Sequence, residues 1–151
     1  MQTAEAAQGK EGQILDMINN LVAEIPLSVD SITKVTLRKD SAYKDENTGA
    51  TRLDKYKLDD DPDNMFSEIV MRIDPDKGTS HIAIFNINKS FSLNLGDVKK
   101  VYGENYSFSP PNAHQPAGSL SYFVYEMNNC TLRFGYLPPD DMVKRVIITT
   151  P

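Results

Sequence analysis

The sequence predicts an α+β domain: one antiparallel sheet of about seven strands with two helices on one face, built from tandem helix-plus-strands units. Three observations lead there. Residues 11–25 repeat apolar side chains at helical spacing. Within each unit short apolar runs then follow one another across turn-type residues, so neighbours pair antiparallel. The order of helix followed by strands occurs twice.

In the first helix Ile14, Leu15, Ile18, Leu21, Val22 and Ile25 form one stripe, and Glu11, Asp16, Asn19, Asn20 and Glu24 the other face. Pro26 stops it. Residues 1–10 read as a disordered polar tail, leaving a single domain over 11–151. Residues 31–39 read as a strand through Ile32, Val35 and Leu37, and residues 51–58 as a second through Leu53, Tyr56 and Leu58. Joined by the polar stretch 40–50, they make a charged, projecting hairpin. Residues 66–74 and 79–88 flank Asp74-Pro75-Asp76-Lys77-Gly78, a hairpin turn with Gly78 at positive φ.

The second helix covers 95–102. Asn94 is its N-cap, Asp97 favours its first turn, and Gly103 is its C-cap. Leu95, Val98, Val101 and Tyr102 form its buried stripe. A Pro-rich loop over 109–116 precedes strands at 120–127, 131–137 and 142–149. Residues 53–58 align with 120–125, 69–76 with 132–139, and 82–84 with 146–148, which divides the domain into halves at 11–88 and 94–151.

The second half resembles a known fold group. Gly96-Asp97-Val98 with Tyr102-Gly103, then Pro110-Pro111, the aromatic strand Tyr122-Phe123-Val124-Tyr125 and a final hairpin within 130–149 are similar to the β-lactamase-inhibitor-protein-like and BamE-like group. The resemblance implies small bacterial extracytoplasmic proteins that bind other proteins through the open face of a sheet. Some inhibit enzymes and others assist outer-membrane assembly. No catalytic residues come with it.

Composition narrows the function classes. Across 151 residues the net charge is −5, and no basic cluster stands out, which argues against nucleic acid and anionic membrane surfaces as partners. No apolar stretch approaches the ~20 residues of a transmembrane helix. One cysteine, Cys130, excludes an internal disulfide. The small and polar residues before Ile14 fit the tether after a cleaved signal, so the expected location is periplasmic or otherwise extracytoplasmic; the alternative is cytoplasmic.

Chemistry-bearing motifs are sparse. His81 and His114 lie in different regions and show no metal-ligand spacing. Cys130 with either histidine makes a drawable dyad, but its place at a strand start reads as structural. The acidic run 59–64 and the turn 74–78 both fail the calcium-loop pattern of glycine at the sixth position and glutamate at the twelfth. No metal or cofactor is expected. Among 21 acidic residues nothing singles out a catalytic carboxylate pair.

Aromatic residues are more informative. Eight of them fall between Tyr102 and Tyr136. In strand 120–127, Tyr122 and Val124 face one way, and Phe123, Tyr125 and Met127 the other. Exposed tyrosine offers contact area with few rotatable bonds, and the Pro-rich loop is stiff. The expected contact residues are Tyr106, Phe108, Pro110, Pro111, His114, Tyr122, Tyr125 and Tyr136. The reading is a non-enzymatic protein-binding module, an exported inhibitor or immunity-type protein. It would cover a partner enzyme or toxin with its aromatic sheet face and Pro-rich loop, its Asp and Glu meeting basic groups there. The alternatives are an envelope-assembly lipoprotein and a small hydrolase or ligand-binding enzyme with a pocket near His81 or His114.

Overall fold

The structure, a computed structural model, describes residues 10–28, 30–32, 46–48, 51–57, 65–74, 76–111 and 118–150. The acidic run 59–64, the loop carrying His114 and most of the expected strand 31–39 lie outside these residues.

Helix α1 (Lys10–Ala23) forms as its spacing requires, with Ile14, Leu15, Ile18 and Leu21 buried. Its last turn tightens, Glu24 N donating to Leu21 O and Ile25 N to Val22 O. The chain beyond Pro26 does not open as the expected strand. Ser28 Oγ accepts from Ser31 N at 3.1 Å, and Ile32 N donates to Ser28 O at 3.0 Å. A capping serine thus starts a helical turn, and Ile32 enters the core.

Strands β1 (Glu46–Thr48), β2 (Thr51–Lys57), β3 (Phe66–Ile73) and β4 (Ser80–Ile87) precede helix α2 (Leu95–Tyr102). Strands β5 (Ser107–Ser109), β6 (Ser121–Glu126), β7 (Thr131–Tyr136) and β8 (Val143–Thr149) follow it. The sheet order is β1-β2-β3-β4-β8-β7-β6-β5, with every neighbouring pair antiparallel. Six strands of six to eight residues form its body, where about seven were expected, and a three-residue strand borders each edge. β2 pairs with β1 and β3, while the segment expected to partner it, 31–39, lies outside the described residues beyond Ile32.

Helix α2 has the expected ends. Asn94 and Asp97 form a reciprocal capping box, and Gly103, at φ 90°, returns its N–H to Lys99 O. Leu95 and Val98 are buried, but Val101 is half exposed, a correction to the expected stripe. Tyr102 Oη donates to Asn19 Oδ1 at 2.6 Å and ties the two helices together.

Strand alternation puts one face of the sheet into a single core that both helices enter. Its central row runs Ile69, Phe85, Val146, Phe134 and Phe123 across β3, β4, β8, β7 and β6. A parallel row runs Met71, Ala83, Ile148, Leu132 and Tyr125. All ten are buried. At the hairpin between β3 and β4, Asp74 Oδ1 accepts from Asp76 N, and Gly78 has the expected positive φ, 71°.

Candidate functional site

The same alternation that buries one face leaves the other without helical cover among the described residues, and this uncovered face is the candidate site. Its central row is Val70, Ile84, Ile147, Arg133 and Val124, one residue from each of five adjacent strands. One flanking row is Arg72, Ile82, Thr149, Thr131 and Glu126. The other is Glu68, Asn86, Arg145, Gly135 and Tyr122. Most of these side chains are half-buried, so a strip of branched aliphatics lies open between polar flanks.

The flanks are ordered by cross-strand hydrogen bonds. Asn86 Nδ2 donates to Glu68 Oε1 at 3.0 Å, and Arg145 Nε donates to Asn86 Oδ1 at 2.8 Å. Arg133 Nη1 donates to Thr149 Oγ1 at 2.9 Å, and Thr131 Oγ1 to Glu126 Oε1 at 3.0 Å. Holding one nitrogen of a planar guanidinium orients its whole fork of donors. Tyr122 fills the surface above Gly135, where an added Cβ would lie 2.7 Å from the Tyr122 ring and 2.9 Å from Leu120.

The structure divides the expected contact residues among three places. Of those described, Tyr122 alone stands on the uncovered face, and His114 lies outside the described residues. Tyr106, Phe108 and Tyr136 gather around Phe123 on the helix side, near the β5 edge. Tyr106 stacks on Phe123 at 4.1 Å, while Phe108 and Tyr136 meet it edge-on at 6.5 and 5.5 Å. Lys99 Nζ sits 5.4 Å from the Tyr106 ring centre and 5.3 Å from that of Phe123. Phe108 is 53% exposed, and Pro110 and Pro111 follow it at the surface. Tyr125 is a correction. It is 3% exposed, touches Tyr102, Tyr106 and Phe134, and donates its hydroxyl to Gly103 O. The parity of β6 sends Phe123 and Tyr125 under the helices, so the described residues form no continuous aromatic face.

Burial raises the pKa of Tyr102, with Cys130, Asp16 and Tyr125 adding to the effect. Burial likewise raises that of Tyr125, helped by Tyr106 and Glu104. Burial pushes the Cys130 thiol up, the reverse of what an activated nucleophile needs.

His81 is exposed and lines a cleft of about 420 Å³ with Ile25, Pro26, Lys77, Thr79, Ser80, Asn129 and Thr150. Two of its polar groups are already engaged: Ser80 Oγ donates to Ile82 O, and Asn129 Nδ2 to Val22 O. Among the described residues no group of three or more His, Cys, Asp or Glu is arranged to hold a metal ion. No described helix is long and apolar enough to cross a membrane.

Residue periodicity located the strands of the uncovered face but not its arginines, Arg72, Arg133 and Arg145. Their signal was present: each occupies the opposite strand parity to a buried neighbour, as Arg133 does between Leu132 and Phe134.

No protein-family model matches the chain, and neither do any of the curated proteins or solved structures searched.

Proposed function

We propose that the chain is a non-enzymatic protein-binding module of the inhibitor or immunity type, acting outside the cytoplasm, whose uncovered sheet face occludes a partner enzyme. The observation that carries this reading is the open aliphatic strip formed by Val70, Ile84 and Ile147 with Ile82 beside it. Its flanks are already tied by hydrogen bonds, so little ordering is left for binding. Six strands at ~4.8 Å spacing span about 24 Å, the scale of a patch that buries ~800 Å² per partner. The resemblance to β-lactamase-inhibitor-protein-like proteins points the same way.

The finer architecture of the proposal is a tandem duplication, and several geometric parallels support it. The sheet order sets two four-strand meanders end strand to end strand, β4 against β8. Val70 pairs with Ile84 as Arg133 pairs with Ile147, which shifts the counterpart of 82–84 by one residue, from the expected 146–148 to 145–147. Each of these pairs has a register irregularity at the same step, Arg72/Ile73 in one half and Gly135/Tyr136 in the other. Ser80 N donates to Leu27 O at 2.7 Å, and Val143 N to Leu93 O at 2.7 Å. The capping residues Ser28 and Asn94 follow those two leucines directly.

The test is capture of a partner from extracts of the source organism by the immobilised chain. Ile84→Asp and Ile147→Asp should abolish capture while leaving circular dichroism and urea unfolding cooperative. Phe108→Ser should retain it. Capture that survives both aspartate variants would remove the sheet face from the mechanism.

A second reading, a small ligand-binding or hydrolytic protein, draws on the His81 cleft, whose volume falls in the ~300–1,000 Å³ range of ligand pockets. A turnover or ligand-induced shift lost in His81→Ala would favour it.

A further inference from the structure

The uncovered face carries charge opposite to that of the chain. The protein has a net charge of −5. Yet the three rows of this face hold Arg72, Arg133 and Arg145 against Glu68 and Glu126. Arg133 pairs with Ile147, two residues along β8 from Arg145, which makes the two arginines diagonal cross-strand neighbours. Such neighbours stand ~7–8 Å apart, and like charges there repel in the unbound protein. Both guanidinium groups are nonetheless held in place, by Thr149 and Asn86.

We propose that this face docks on an acidic protein surface, with partner carboxylates received by Arg133 and Arg145 beside the aliphatic strip. The proposal rests on the reading of this face as the contact surface and adds the chemistry of the partner. A carboxylate seated between the two arginines relieves their repulsion and meets donors already oriented for a fork. Apolar partner residues cover Ile84 and Ile147, while Tyr122 closes the edge beyond Arg145. The sequence-based expectation ran the other way, with Asp and Glu of this chain meeting basic groups. A nucleic acid fits less well. Glu68 and Glu126 flank the strip, the whole chain repels a polyanion, and an aliphatic centre has no role against phosphates.

The test has two arms, both on the full chain. In the first, ¹⁵N-labelled protein at low salt is titrated with poly-L-glutamate, poly-L-lysine and single-stranded DNA. Poly-L-glutamate should shift the Nε–H signals of Arg133 and Arg145, and 0.5 M salt should reverse the shift. Absence of these shifts, or tighter binding of the DNA, would overturn the proposal. In the second arm, Arg133→Glu and Arg145→Glu are compared with Ile84→Asp for binding to the captured partner, with urea unfolding as the folding control. Each charge reversal should weaken binding about tenfold or more. Loss with Ile84→Asp alone would keep the contact surface and refute the acidic partner. Unchanged binding in all three would refute both.

Discussion

The ring of Tyr122 covers Gly135, its paired residue on the neighbouring strand, so closely that a Cβ there would come within 2.7 Å of the ring. Glycine is needed at this point for space. Gly135→Ala should push the ring outward. Because ring and Leu120 methyl are ends of side chains at a surface, they can move, and the cost in urea unfolding should be about 1 kcal/mol, the low end of overpacking effects. On the proposed function, the same variant should weaken partner binding, because it displaces an aromatic group of the proposed contact face.

Asn94 secures the start of α2 by bonding to Asp97 N at 2.9 Å, while Asp97 returns a bond to Asn94 N. Asn94→Ala should cost about 1 kcal/mol, and Asn94→Ser should recover most of it. Chemical denaturation of the three proteins side by side gives the comparison.

Burial of Tyr102 predicts an alkaline limit to stability. Its folded pKa is raised above the unfolded value near 10. The neutral phenol is therefore favoured in the folded protein. This contribution is fully present below about pH 10 and is lost as pH rises beyond it, toward the folded pKa. Tyr125 and Tyr136 shift in the same direction. Unfolding midpoints should fall steeply above pH 10, and Tyr102→Phe should flatten that fall. The variant should also be less stable at neutral pH, since it loses the bond to Asn19.

Cys130 should behave as a core residue. It is 4% exposed and its thiol pKa is raised by burial. A thiol reagent at neutral pH should modify the native protein slowly, with a rate that rises in step with urea unfolding. Rapid native labelling at low pH would instead mark an activated thiolate.

The parts of the fold legible in the sequence were those set by local chemistry. Asn94, Asp97 and Gly103 bracket α2 because cap preferences act over a few residues. The alternation in β3, β4, β6, β7 and β8 is carried by Ile69, Met71, Phe85, Phe123, Phe134 and Ile148, which tertiary packing then buried. Residues 31–32 were misread as the start of a strand because Ile32 also fits a strand pattern, whereas the Ser28 cap decides for a helical turn. Tyr125 was misplaced for a different reason. Strand parity separates it from Tyr122, but periodicity alone does not tell which face the helices cover. The arginine-bearing face was missed because periodicity alone does not tell which face the helices leave open, and Arg72 joins the Arg133–Arg145 hairpin on one face only after β4 pairs with β8.

Isoleucine methyl resonances offer the most direct test of the proposal that a partner sits on the uncovered face. Ile82, Ile84 and Ile147 lie on the uncovered face, while Ile14, Ile18, Ile69 and Ile148 lie in the core. In a complex of methyl-labelled protein with the captured partner, irradiation of the partner should transfer saturation to Ile82, Ile84 and Ile147 and leave the four core methyls unaffected. Silence at Ile82, Ile84 and Ile147, with transfer confined to the residues around Phe108 or to the helices, would contradict the account.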